Sequence, residues 1–262
     1  MILWLSACMT FDPFVFNATQ VDAYALDFGE VPPHLVEEVT FESLDGTLLY
    51  GVWAHQPVAS PPLLFLHGNT GNIDTYANYV EYYWSWGTYD VFAVDYRGFG
   101  RSEGVPDADV LNLDGVAAAE YVSSIAGVVP EKVPWLTVSL GSAVAVHANA
   151  EVGAKVVVLD SMFASADAVL DDSSGLDLPL GWFIEDPIYD NVAWIGEMQD
   201  PVLLIHGRDD DFIPPDHVEA LYEAAPSPKS LWRPAGVDHA EAIEVEPELY
   251  RVVVEDWILR AP

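Results

Sequence analysis

Positive charge is what this sequence has least of. Nine lysines and arginines, of which only Lys132, Lys155 and Lys229 are lysines, stand against 42 acidic residues, a formal charge of −33. Such a chain repels phosphate backbones and anionic lipid surfaces, and no basic patch offsets the repulsion, so nucleic acid is excluded as a partner. Cysteine is nearly absent too. Cys8 stands alone, which excludes an intrachain disulfide and a cysteine-built metal site. No apolar run reaches the roughly 18 residues that a bilayer span needs, and no segment recurs at the period of a solenoid. What is abundant is apolar surface: at 51% hydrophobic residues over 262 positions the chain can close one large core, which predicts a single domain. The acid excess has two readings, a surface adapted to high salt or that of an ordinary acidic protein; scarce lysine favours the first.

Residues 1–30 read as a lead-in. Leu5-Ser6-Ala7-Cys8 resembles the lipobox of bacterial lipoproteins, but there is no positively charged stretch before it. Export with Cys8 lipidated, the one route to membrane contact, and a cytoplasmic location with an accidental match both stay open. From 31 to 262 the chain has the rhythm of one α/β unit. Two strands near 34–57 flank Asp45-Gly46, a hairpin turn. Leu63-Leu64-Phe65-Leu66, Val91-Phe92-Ala93-Val94, Trp135–Val138, Ala154–Asp160 and Val202–Ile205 are short apolar runs of the kind buried on both faces of a parallel sheet, and helical segments separate them. Between Met162 and Gln199 runs a long aromatic connection that contains Trp182 and Phe183.

Chemistry concentrates where the apolar runs end. In Trp135-Leu136-Thr137-Val138-Ser139-Leu140-Gly141-Ser142, a strand turns sharply into a small-residue helix, with Ser139 at the turn. A serine hydroxyl attacks a carbonyl only with a base beside it and donors for the oxyanion, and a strand-to-helix turn lifts it above the sheet edge beside free helical N–H groups. His67-Gly68-Asn69-Thr70-Gly71-Asn72 follows a buried strand as a glycine-punctuated loop. His206-Gly207-Arg208-Asp209-Asp210-Asp211-Phe212-Ile213-Pro214 follows another, and His239 lies in a late loop after the last strand.

These strings resemble the α/β-hydrolase fold: the nucleophile elbow G-x-S-x-G, with Thr137 in place of its first glycine; the His-Gly oxyanion loop; the segment Asp95-Tyr96-Arg97-Gly98-Phe99-Gly100; and the acid-strand pattern H-G-x-x-D-x-x-[IV]-P. The likeness is greatest to small-cap serine hydrolases, bacterial esterases and depalmitoylating enzymes among them. It implies a mostly parallel sheet of about eight strands flanked by helices, with a cap-like insertion at about 162–199. It also implies Ser139 as nucleophile, Asp210 as acid, with Asp160 at the alternative acid position that some members of the fold use, and His239 as base, with the backbone N–H groups of Asn69 and Leu140 as the oxyanion hole. Trp182 and Phe183 become candidates for the acyl pocket. Arg97 is expected to pair with a carboxylate near the elbow. The implied chemistry is hydrolysis of a small-molecule carboxylic ester or thioester with no metal and no organic cofactor. The rival readings on this scaffold are a catalytically silent binding protein and a serine peptidase or amidase.

Overall fold

In a computed structural model the described residues are 16–169 and 189–261. Eight strands form one sheet: β1 Val36–Glu42, β2 Leu48–Ala54, β3 Pro62–Leu66, β4 Asp90–Asp95, β5 Trp135–Val138, β6 Val157–Asp160, β7 Val202–Ile205 and β8 Lys229–Trp232. Their spatial order is β1-β2-β4-β3-β5-β6-β7-β8, and every neighbouring pair is parallel except the two that involve β2. This is the mostly parallel eight-stranded architecture that the motifs predict.

The apolar runs work because both faces of the sheet are covered. Strands β3, β5, β6 and β7 are buried along their whole length, and their side chains alternate between two cores. Leu64 and Leu66 join the core packed by helices α2 (Leu111–Ala126), α3 (Leu140–Val152), α4 (Asn191–Glu197) and α5 (Asp216–Ala224). Leu63 and Phe65 join the opposite one, packed by α1 (Ala77–Ser85), α6 (Ala242–Val245) and α7 (Pro247–Arg260). Period-two alternation thus feeds two hydrophobic layers from one uninterrupted apolar string.

Strand β3 lies between β4 and β5, so the chain reverses its direction of winding there. Loops that leave the carboxyl ends of β3 and β5 diverge and leave a crevice, the usual place for a ligand in an open α/β sheet. The lead-in bears on that crevice as well. Asn17–Ala18 pairs in parallel with Thr70–Gly71, Phe16 and Phe28 are buried, and the Tyr24 hydroxyl donates to Asp95 Oδ2 at 2.6 Å. Arg97 makes its carboxylate contacts away from the elbow: it is buried on Asp114 of α2 at 2.7 Å and reaches Asp45 of the β1–β2 turn at 2.8 Å. The expected partner near the elbow is therefore corrected to the hairpin and α2, which this arginine ties together. Half of the cap-like stretch, residues 170–188, and Cys8 lie outside the described residues.

Candidate active site

Ser139 follows β5 directly and has φ 50°, ψ −112°, a backbone conformation that costs an ordinary side chain about 1–3 kcal/mol. Its surroundings impose it. The Ser139 N–H donates to the Asp160 carbonyl at 2.8 Å, while Gly141 approaches β3 so closely that a Cβ there would lie 2.1 Å from the Leu66 carbonyl oxygen. Only glycine permits that approach.

Thr137, where a glycine is usual, is accommodated by hydrogen bonding. Its buried hydroxyl lies 2.8 Å from the Val158 carbonyl and 2.7 Å from Ser142 Oγ. Ser142 Oγ in turn lies 3.3 Å from the Asp160 carbonyl, so the two hydroxyls pair with each other between two carbonyls of strand β6. The β-branched side chain thereby locks the first turn of α3 to strand β6.

Asp210 is the buried one of three consecutive aspartates, and its neighbours turn elsewhere. Asp209 Oδ2 accepts from Gly236 N at 2.7 Å, and Asp211 is exposed. Asp210 Oδ1 accepts from the amides of Phe212 at 3.1 Å and Ile213 at 2.7 Å, which fixes the carboxylate plane. Its Oδ2 lies 3.0 Å from His239 Nδ1. Since a carboxylate accepts, Nδ1 carries the proton and Nε2 keeps a lone pair able to take one. His206, which the sequence marks only as the start of the acid motif, backs this loop. Its Nε2 donates to the Ile213 carbonyl at 2.8 Å and stands 3.5 Å from Asp210 Oδ2, and burial lowers its pKa, which keeps it neutral.

The loop that carries His239 is clamped from β6. Ala240, at φ 60°, donates its N–H to Ser161 Oγ at 2.9 Å, and its carbonyl accepts from the Tyr79 hydroxyl. Asp160, next to Ser161 at the end of β6, is fully buried. Burial pushes its carboxyl up to about 7, an effect opposed by the Ser161 hydroxyl at 3.1 Å and by the charge of His239. Asp160 is the other strand-end carboxylate near His239, yet the one hydrogen-bonded to that imidazole is Asp210. The sequence marks Asp160 only as the alternative acid position at a strand end; its burial is what the tertiary structure adds.

The loop after β3 is held by a second buried pair. His67 Nε2 lies 2.9 Å from Asp95 Oδ1, its Nδ1 lies 2.7 Å from the Gly68 carbonyl, and its own carbonyl accepts from the Tyr96 hydroxyl at 2.9 Å. Asn69 Oδ1 accepts from Asn17 N at 3.1 Å, so the lead-in braces that loop.

Ser139, His239, Asn69 and Leu140 share the wall of one cavity of about 620 Å³, within the range of small-molecule sites. Among the described residues no hydrogen bond joins Ser139 to His239; such contacts commonly tighten only when a substrate is bound. Phe163, Val169, Tyr189 and Phe212 form apolar wall. Trp182 and Phe183 lie outside the described residues. No group of three or more His, Cys, Asp or Glu among the described residues has the geometry to hold a metal ion.

No protein-family model matches the chain. The uncharacterized protein YfhR of Escherichia coli K12 is 32% identical over 244 residues, which cover 87% of this chain and 82% of that one. The α/β hydrolase domain-containing protein WAV2 of Arabidopsis thaliana is 28% identical over 73% of this chain and 67% of its own. A solved structure of the Pyrococcus furiosus esterase Pf2001 superposes with a TM-score of 0.76, covering 94% of this chain and 97% of that one at 22% identity. The chain belongs to the α/β-hydrolase family. The crevice that houses Ser139 and His239 lies beyond the carboxyl ends of β3, β5, β7 and β8, where open α/β sheets bind their ligands.

Proposed function

We propose that this protein is a serine hydrolase that cleaves carboxylic esters of short to medium acyl chains. The observation that carries the reading is the Asp210–His239 hydrogen bond at 3.0 Å on the rim of a cavity that also exposes a strained elbow serine. In the reaction, the Ser139 hydroxyl proton passes to His239 Nε2 as Oγ bonds to the ester carbonyl carbon, and the carbonyl electron pair moves onto oxygen. Asp210 holds the tautomer and stabilises the imidazolium. The N–H of Leu140, unsatisfied within α3, and that of Asn69 receive the oxyanion. Collapse of the adduct expels the alcohol oxygen, which takes the proton from His239, and an acyl-enzyme is left. Water, deprotonated by His239, then attacks the acyl carbon; the acid departs and Ser139 recovers its proton.

The apolar wall of Phe163, Val169 and Phe212 suits an acyl chain, and a cavity of about 620 Å³ suits a small ester better than a polymer. The test is p-nitrophenyl butyrate with wild type and Ser139→Ala. The wild type should turn over and react stoichiometrically with a fluorophosphonate at Ser139, and the variant should do neither while keeping its circular dichroism. Undiminished turnover in Ser139→Ala would refute the assignment.

A further inference from the structure

The charge of the substrate can be read from where the cations of this chain lie. Among the described residues that line the cavity, His239 is the one basic side chain, and no lysine or arginine is present. The stretches outside the described residues, 1–15, 170–188 and 262, contain no Lys, Arg or His. The arginines are engaged elsewhere: Arg97 in its buried pair, Arg233 on Glu219, Arg251 on Glu255. The carboxylates at the mouth have the opposite sign. Glu241 and Glu244, just after His239, are both exposed and line the cavity, and Asn78 Nδ2 donates to Glu244 Oε1 at 3.1 Å.

We propose, resting on the hydrolase reading above, that this site takes its acyl group from an uncharged or cationic carrier and rejects anionic ones, coenzyme A thioesters and phosphorylated alcohols included, with Glu241 and Glu244 setting the discrimination. An anionic carrier that enters the cavity gives up hydration, finds no cation to replace it, and meets two carboxylates. Across about 7 Å of water, each unit repulsion is worth about one RT, so two carboxylates disfavour an anion roughly five- to tenfold at low salt. Salt weakens the effect as the Debye length falls to about 3 Å at 1 M. The apolar acyl wall is unaffected by any of this, which confines the discrimination to the leaving group.

The experiment compares kcat/KM, read as acid release in a pH-stat, for butyrate esters of a neutral phenol, a trimethylammonium phenol and a sulfonated phenol. Butyryl-coenzyme A is compared with the uncharged butyryl thioester of N-acetylcysteamine. At low salt the neutral and cationic donors should be cleaved, and each anionic donor should fall at least about fivefold below its neutral counterpart. The gap should narrow in about 1 M NaCl and in a Glu241→Gln/Glu244→Gln double variant. A sulfonated ester or a coenzyme A thioester cleaved as fast as its neutral counterpart overturns the proposal, and a gap unchanged in the double variant overturns the role of the two glutamates. Both results leave the hydrolase reading standing. If the neutral ester too is inert and Ser139 resists a fluorophosphonate, the hydrolase reading itself fails, and this proposal with it.

Discussion

Replacing Asp210 with Asn isolates one oxygen of the proposed machinery. The side-chain carbonyl of Asn can keep the contacts that Asp210 Oδ1 makes with the Phe212 and Ile213 amides, so the loop keeps its shape. The amide nitrogen then occupies the place of Oδ2, 3.0 Å from His239 Nδ1 and 3.5 Å from His206 Nε2. Both faces are now donors. His206 cannot yield, because its Nε2 proton is held by the Ile213 carbonyl. His239 must therefore move its proton to Nε2, where the base is needed, and the imidazolium loses its carboxylate. Such a change of tautomer and charge costs roughly 10³- to 10⁴-fold in kcat, or about 4–5.5 kcal/mol of barrier. The assay is p-nitrophenyl butyrate hydrolysis by Asp210→Asn and Asp160→Asn, with thermal melts to confirm folding. Asp160→Asn should stay within about tenfold of wild type, since its carboxyl contacts Ser161 rather than the imidazole. A large loss at Asp160 and a small one at Asp210 would refute the reasoning and move the acid to the end of β6.

Ser142→Ala should leave turnover nearly unchanged, because its hydroxyl is buried on Thr137, yet it should lower stability by about 1 kcal/mol in denaturant melts by removing the hydroxyl that pairs with Thr137 Oγ1. A variant as stable as wild type would contradict the hydrogen-bond assignment at the elbow. For Asp160, burial raises the carboxyl to about 7 in the folded state, so its contribution is fully present below the ordinary carboxylate range and is lost as pH rises through about 7. Asp160→Asn should escape that loss, and its melting-temperature advantage over wild type should grow from about pH 4 to about pH 7, worth at most about 4 kcal/mol, then level off; parallel melting curves at every pH would exclude a buried ionisation. A formal charge of −33 repels itself, so the melting temperature should climb with added NaCl, and a flat or falling trend would remove salt adaptation as an explanation of the acid excess.

The sequence alone determined the sheet and the order of its chemistry, because both are local properties. An apolar string such as Leu63–Leu66 suits a strand buried on both faces of a covered sheet, and its period-two geometry follows from the backbone. Matched to the acid-strand pattern of the α/β hydrolases it resembles, the stretch from His206-Gly207 to Ile213-Pro214 marks out Asp210 from Asp209 and Asp211, and Asp210 is the one that meets His239. Gly141 announced a close approach, though not that the Leu66 carbonyl is what it approaches. Tertiary structure decided what depends on segments far apart in the chain. Thr137 looks like a defect in the motif until Ser142 and the Val158 carbonyl surround its hydroxyl. The lead-in reads as featureless until Tyr24 meets Asp95 and Asn17 meets Asn69, 71 and 52 residues away. Asp160 carries the same symbol as any strand-end aspartate, and only complete burial beside Ser161 changes how tightly it holds a proton. Hydrogen bonding and desolvation act through space, so their effects on these side chains were decided when the strands were brought side by side.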